Sequence, residues 1–178
     1  MTGIYHSTII FEADMKKPTI LSLFCLALLF FSCTKKAADV TAKTYFEANA
    51  DGVKVEGDIS SKNFKVFAND VDSTAIIATI AGETGLSLEM HLKETGKGTY
   101  IVWGNQVQLT TRSANGDIIK QYVAKPTNRN KITITDVDAS SNIITGKFNF
   151  SLQKNYSANG NIADSVVFTN GKFAVKLP

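Results

Sequence analysis

The chain has 178 residues, 44% hydrophobic and 20% charged, with a formal net charge of +3, enough for one domain with a proper apolar core. Past residue 32 the only adjacent basic pair is Lys35-Lys36, so the charge pattern excludes a nucleic-acid interface. The cysteines are Cys25 and Cys33 alone, which gives no basis for a disulfide framework or a thiolate zinc site.

Residues Met1 to Asp14, with His6, Glu12 and Asp14, have a mixed composition. They are unlike the amino end of an exported chain, and translation is expected to begin at Met15. Lys16 and Lys17 then precede an apolar run from Ile20 to Phe31, followed by Ser32-Cys33. A basic start, a short apolar core and a small residue before the break make residues 15–32 a signal peptide. The run is too short for a bilayer span, which takes roughly 20 residues. Ser32-Cys33 resembles the end of the lipobox of bacterial lipoproteins, although Phe30 stands where that motif usually has leucine. Cys25 fits less well because the bulky Phe24 precedes it. Cys33 is thus the expected lipidation site, and acyl chains there hold a protein on a membrane by roughly 0.8 kcal/mol per buried CH₂. Residues 33–44 form a small, polar tether reaching roughly 18 Å as a flexible coil. Thr34–Asp39 lacks an acidic cluster, which favours the periplasmic leaflet of the outer membrane over the cell surface.

From Tyr45 to Pro178 one domain is expected, with an apolar period of two. Leu86, Leu88, Met90 and Leu92 alternate with Ser87, Glu89 and His91; Phe148, Phe150 and Leu152 alternate with Asn149 and Ser151; Phe173, Val175 and Leu177 alternate with Ala174 and Lys176. Alternation puts one face of each strand in the core and the other in water, as in antiparallel sheets. Asp51-Gly52, Asn115-Gly116 and Asn170-Gly171 carry the residues that two-residue hairpins demand. Further breaks are expected at 57–63, 82–85, 94–98, 126–130 and 138–142. Residues 71–81 favour a strand over a short helix because of Ile76, Ile77, Thr79 and Ile80. About ten short strands follow, spaced as in an all-β sandwich or barrel. The antiparallel β-sandwich is the expected architecture, with a closed lipocalin-like β-barrel as the alternative. Gly146-Lys147-Phe148 and Gly171-Lys172-Phe173 share a frame, read as two similar core strands each beginning with glycine.

Phe46-Glu47-Ala48-Asn49-Ala50-Asp51-Gly52, Gly98-Thr99-Tyr100, and Ile132-Thr133-Ile134-Thr135 leading to Ile144–Phe150 stand in that order, and Asn170-Gly171-Lys172-Phe173 closes the series. With the lipobox and tether, this order resembles a family of small all-β lipoproteins of uncharacterised function from the Bacteroidota. Val53-Lys54-Val55 departs from it, since an aromatic residue usually follows the first Asp-Gly there. The resemblance implies a cell-envelope lipoprotein and brings no catalytic residues.

Past residue 32 His91 is the sole histidine. It sits on the polar phase of its strand, and no serine lies in a nucleophile-elbow frame. Asp70-Val71-Asp72 and Asp136-Val137-Asp138 pair carboxylates but lack the glycine and distal glutamate of a calcium loop; turn formation explains both. No enzyme activity, cofactor or metal is expected. Trp103, the single tryptophan, is expected to pack in the core or at its rim, with a platform for stacking a sugar ring as the alternative. Asp72-Ser73-Thr74 and Asp164-Ser165-Val166 resemble O-glycosylation acceptors, which nominates Ser73 and Ser165.

The reading is a monomeric, non-enzymatic envelope lipoprotein that contacts a protein or glycan, through loops such as 57–63, 126–130 and 153–164. The alternative is a barrel that carries a small apolar ligand. Cys33→Ser should move the protein from the membrane to the soluble fraction and abolish palmitate labelling; a variant still membrane-bound with unchanged mobility contradicts the anchor.

Overall fold

The computed structural model describes residues 43–64, 73–93, 95–127, 129–158 and 160–178; the leader, Cys33 and the Asp70–Asp72 pair lie outside them. Ten strands are present among the described residues. They are β1 (Tyr45–Ala50), β2 (Val53–Phe64), β3 (Ser73–Ile80), β4 (Leu86–Leu92), β5 (Gly98–Ile101), β6 (Gly104–Arg112), β7 (Ile118–Ala124), β8 (Lys131–Asp138), β9 (Ile143–Ser157) and β10 (Ser165–Lys176). Every pairing is antiparallel. Within 71–81, Ser73–Ile80 form strand β3, as the β-branched run implies.

The strands form one sheet in the order β10-β1-β2-β3-β4-β6-β7-β9-β8-β5, and β10 pairs with β9 as well. That extra pairing closes a ring. The all-β, antiparallel reading holds. The pairings close on themselves while the interior is packed with side chains, so the molecule combines features of the expected sandwich and of its closed-sheet alternative.

β9 makes this possible by its length. One of its edges pairs with β10 from Ile143 to Gln153. Its other edge pairs first with β8, up to Asn149, and then with β7, from Leu152. At the seam between β8 and β7, buried Asn130 fills the gap. Its side-chain oxygen accepts the Ser151 amide at 2.6 Å, and its Nδ2 donates to the Lys125 carbonyl at 2.6 Å.

The interior is dominated by phenylalanine. Phe148 stacks on Phe46 at 5.7 Å and on Phe150 at 4.8 Å, and touches Phe168 and Phe173 at 6.4 Å each. The two Gly-Lys-Phe segments face one another in the β9–β10 ladder: Gly146 opposes Phe173, Lys147 opposes Lys172, and Phe148 opposes Gly171. A Cβ on Gly171 would lie 2.4 Å from the Phe148 ring, and one on Gly146 would lie 2.5 Å from the Phe173 ring. Each glycine leaves the space that the other segment's ring occupies. The facing lysines repel; Glu47 offsets this by pairing with Lys172 at 3.0 Å.

Two expectations are corrected here. Asn170-Gly171 is no hairpin: β10 runs through it, with a register shift between Phe168 and Gly171. Asn170 takes φ 53°, and the extra residue forms a bulge that sets Gly171 over the Phe148 ring. Residues 57–63 are no loop either. They lie inside β2, where Gly57 passes so close to β3 that a Cβ would collide with the Thr79 carbonyl. Asp51-Gly52 does turn as expected, with φ 48° and 85°, and Asn115-Gly116 lies in the β6–β7 turn, where the Gly116 amide donates to the Ser113 carbonyl.

Gly171→Ala and Gly146→Ala should each cost about 2 kcal/mol by overpacking, measured by urea denaturation. Phe148→Leu in the Gly171→Ala background should recover part of that loss. A Gly171→Ala variant as stable as the parent contradicts the interlock.

Candidate binding groove

Opposed residues in an antiparallel ladder share a face. The outer face of β2, β3, β4 and β6 can therefore be read from register: Phe64 lies beside Ser73, Ala75 beside His91, and Glu89 beside Gln108. Near the β2–β3 end this face forms a groove of about 470 Å³, lined by Phe64, Ser73, His91, Lys93, Trp103, Asn105, Gln106 and Gln108. That volume lies within the roughly 300–1,000 Å³ common for small-molecule sites.

Trp103 reaches the groove through a tight link between β5 and β6. Val102 is buried, and its amide donates to the Asn130 carbonyl at 3.1 Å. The next residue turns outward: Trp103 is 62% exposed, which corrects the expectation that it packs in the core or at its rim. Its amide donates to the Gln106 side-chain oxygen at 3.1 Å, and the Gln106 amide donates back to the Trp103 carbonyl at 3.1 Å. The seam residue Asn130 thus holds the strand link that carries the indole.

From Asn105 and Gln108 in the groove, a row of hydrogen-bonded amides leads away across the sheet. Asn155 Nδ2 donates to Gln121 Oε1 at 2.7 Å, Gln121 Nε2 to Gln108 Oε1 at 2.8 Å, and Gln108 Nε2 to the Asn105 carbonyl at 3.0 Å. Each amide keeps further donor or acceptor capacity.

His91 is a wall of the groove. Its ring lies 4.6 Å from that of Phe64, inclined by 31°, and Nε2 donates to Glu89 Oε2 at 3.4 Å. This hydrogen bond, with the nearby charges of His91, Lys62 and Arg112, lowers the Glu89 pKa against the opposing effect of burial.

The other nominated residues lie apart from one another. Ser73, at the start of β3, is 6% exposed and lines the groove. Ser165 is half-buried at the start of β10. Asp136 pairs with Lys97 at 2.8 Å. Asp138 accepts the Ser140 and Ser141 hydroxyls at 2.6 Å each, which brings its pKa down to about 2. Among the described residues no group of three His, Cys, Asp or Glu side chains is placed to hold a metal. Phe64, Gln106 and Gln108 were not singled out from sequence. The alternation of the two glutamines with Val107 and Leu109 was the available sign that both face outward.

A family model described as a domain of unknown function, DUF6252, matches residues 43–178. The chain belongs to this family. Its match begins just before β1 and takes in all ten strands. No curated protein and no solved structure matches the chain.

Glu89 should make stability depend on pH. Its folded-state pKa is depressed, so its contribution is present above the ordinary value of 4.5 and is lost as pH falls below it. Glu89→Gln should flatten the acid limb of a stability-against-pH curve from urea melts; an unchanged limb contradicts the His91 pairing.

Proposed function

We propose that the protein is a non-enzymatic binding domain, tethered to the outer membrane through lipidated Cys33, and that its outer-face groove holds a glycan. The signal peptide at residues 15–32, the cysteine behind it and the resemblance to Bacteroidota lipoproteins support the address, with the periplasmic leaflet favoured and a monomer as the working form.

The observation that carries the ligand class is an exposed indole beside side-chain amides in one groove. A pyranose ring has an apolar C–H face and a rim of hydroxyls. Trp103 offers a broad apolar surface to the first. Gln106, Gln108 and Asn105 offer donors and acceptors to the second. A binding role also suits His91, whose ring is covered by Phe64 and whose Nε2 is taken up by Glu89.

The alternative of a carrier hollow through its middle has less support, because Phe46, Phe148, Phe150, Phe168 and Phe173 fill that space.

Trp103 is the only tryptophan, so intrinsic emission reports on the groove alone. Titration with maltohexaose, xylohexaose and chitohexaose should shift that emission for at least one sugar. Trp103→Ala should remove about 2 kcal/mol of affinity and leave the melting temperature within about 2 °C of the parent. Emission unmoved by the whole panel, or a melting temperature that collapses as for a core truncation, contradicts the proposal.

A further inference from the structure

The turns β1–β2, β3–β4, β6–β7 and β9–β10 share one rim of the ring, away from the groove. Inside this rim the phenylalanine packing stops short and leaves a cavity of about 220 Å³. Its walls are the inward residues Ala50, Val55, Leu86, Leu109 and Val166. Tyr122 closes one side and ties its hydroxyl to the Ala163 carbonyl at 3.1 Å.

Lys120 breaks this apolar lining. It lies two residues before Tyr122 on β7 and so shares its inward phase. Its stem lines the cavity, and its side chain is 29% exposed. An unbranched apolar residue there would fill the unused volume, whereas an inward lysine places a cation at the mouth of a greasy space. Its ion partner Glu83, 2.6 Å away, sits on the β3–β4 turn with its side chain 44% exposed. The second support of Glu83 is a long hydrogen bond of 3.4 Å from the Thr111 hydroxyl. The cation is built into the wall, and the anion reaches over from a surface turn.

We propose that this rim binds a short amphipathic carboxylate, with the apolar body in the cavity and the carboxylate on Lys120 in place of Glu83. At about 30 Å³ per water-sized group, the cavity takes about seven heavy atoms, the size of the alkyl part of octanoate. Long acyl chains are too large. A cationic amphiphile would meet the fixed lysine, and a neutral one would leave the Glu83–Lys120 pair across the mouth. This site is independent of the glycan groove.

The test titrates octanoate, octylammonium, 1-octanol and palmitate into methyl-labelled full-length protein and follows the Leu86, Leu109 and Val166 signals. Octanoate alone should move them saturably, with Trp103 emission unchanged. Lys120→Gln should weaken octanoate about tenfold or more, as loss of a charged hydrogen-bond partner does. Glu83→Gln, on an exposed turn, should tighten it by removing the competing anion and keeps the test open if Lys120→Gln misfolds. Val166→Phe, which fills the cavity, should abolish the shifts. No shift with millimolar octanoate, equal binding of octylammonium or 1-octanol, or octanoate binding indifferent to both Lys120→Gln and Glu83→Gln overturns the assignment. A response at Trp103 rather than the rim methyls also overturns it and leaves the glycan groove to be judged by its own titration.

Discussion

The reciprocal fit of two glycines against two phenylalanine rings in the β9–β10 ladder is the constraint on which the rest of the molecule depends. Gly146 admits Phe173, and Gly171 admits Phe148. Because Phe148 also contacts Phe46, Phe150 and Phe168, the contact that joins the last two strands also centres the core. Side-chain interiors are close-packed and resist added volume. Closure and core formation are therefore one event in this fold.

Closure has consequences at both ends of the ring. β9 is long enough to serve β8 and β7 in turn on one edge, and this creates the seam that Asn130 fills. The Asn130 carbonyl then fixes Val102, and Trp103 follows directly on the outer surface. At the other rim the phenylalanines end before the turns do, which leaves apolar volume beneath the Glu83–Lys120 pair. One groove lies outside the sheet and one cavity lies inside it. Both owe their positions to where the closed core begins and ends.

The strands were legible in the sequence because each carries its own period-two record, as in Leu86–Leu92 and Phe148–Leu152. Local turn chemistry was a weaker guide. Asp51-Gly52 and Asn170-Gly171 look alike, yet the first reverses the chain and the second bulges within β10. The difference lies in what faces the glycine: solvent around Gly52, an aromatic ring against Gly171. That depends on a partner strand more than 20 residues away in sequence, which local composition cannot carry. Gly57 was misread for the same reason. The groove was only partly legible: Trp103 stood out by its rarity, while Gln106 and Gln108 were passed over although their alternation with Val107 and Leu109 marks them as outward. What was missing was the register that sets β6 beside β4 and brings Gln108 next to Glu89.

Native-state hydrogen exchange tests most directly the claim that β9–β10 closure is inseparable from folding. Amides in Gly146–Phe150 and Lys172–Val175 should open only with the whole domain, at free energies within about 1 kcal/mol of global unfolding. Exchange of these segments through a cheaper local opening, while β3 and β4 stay protected, would contradict the account.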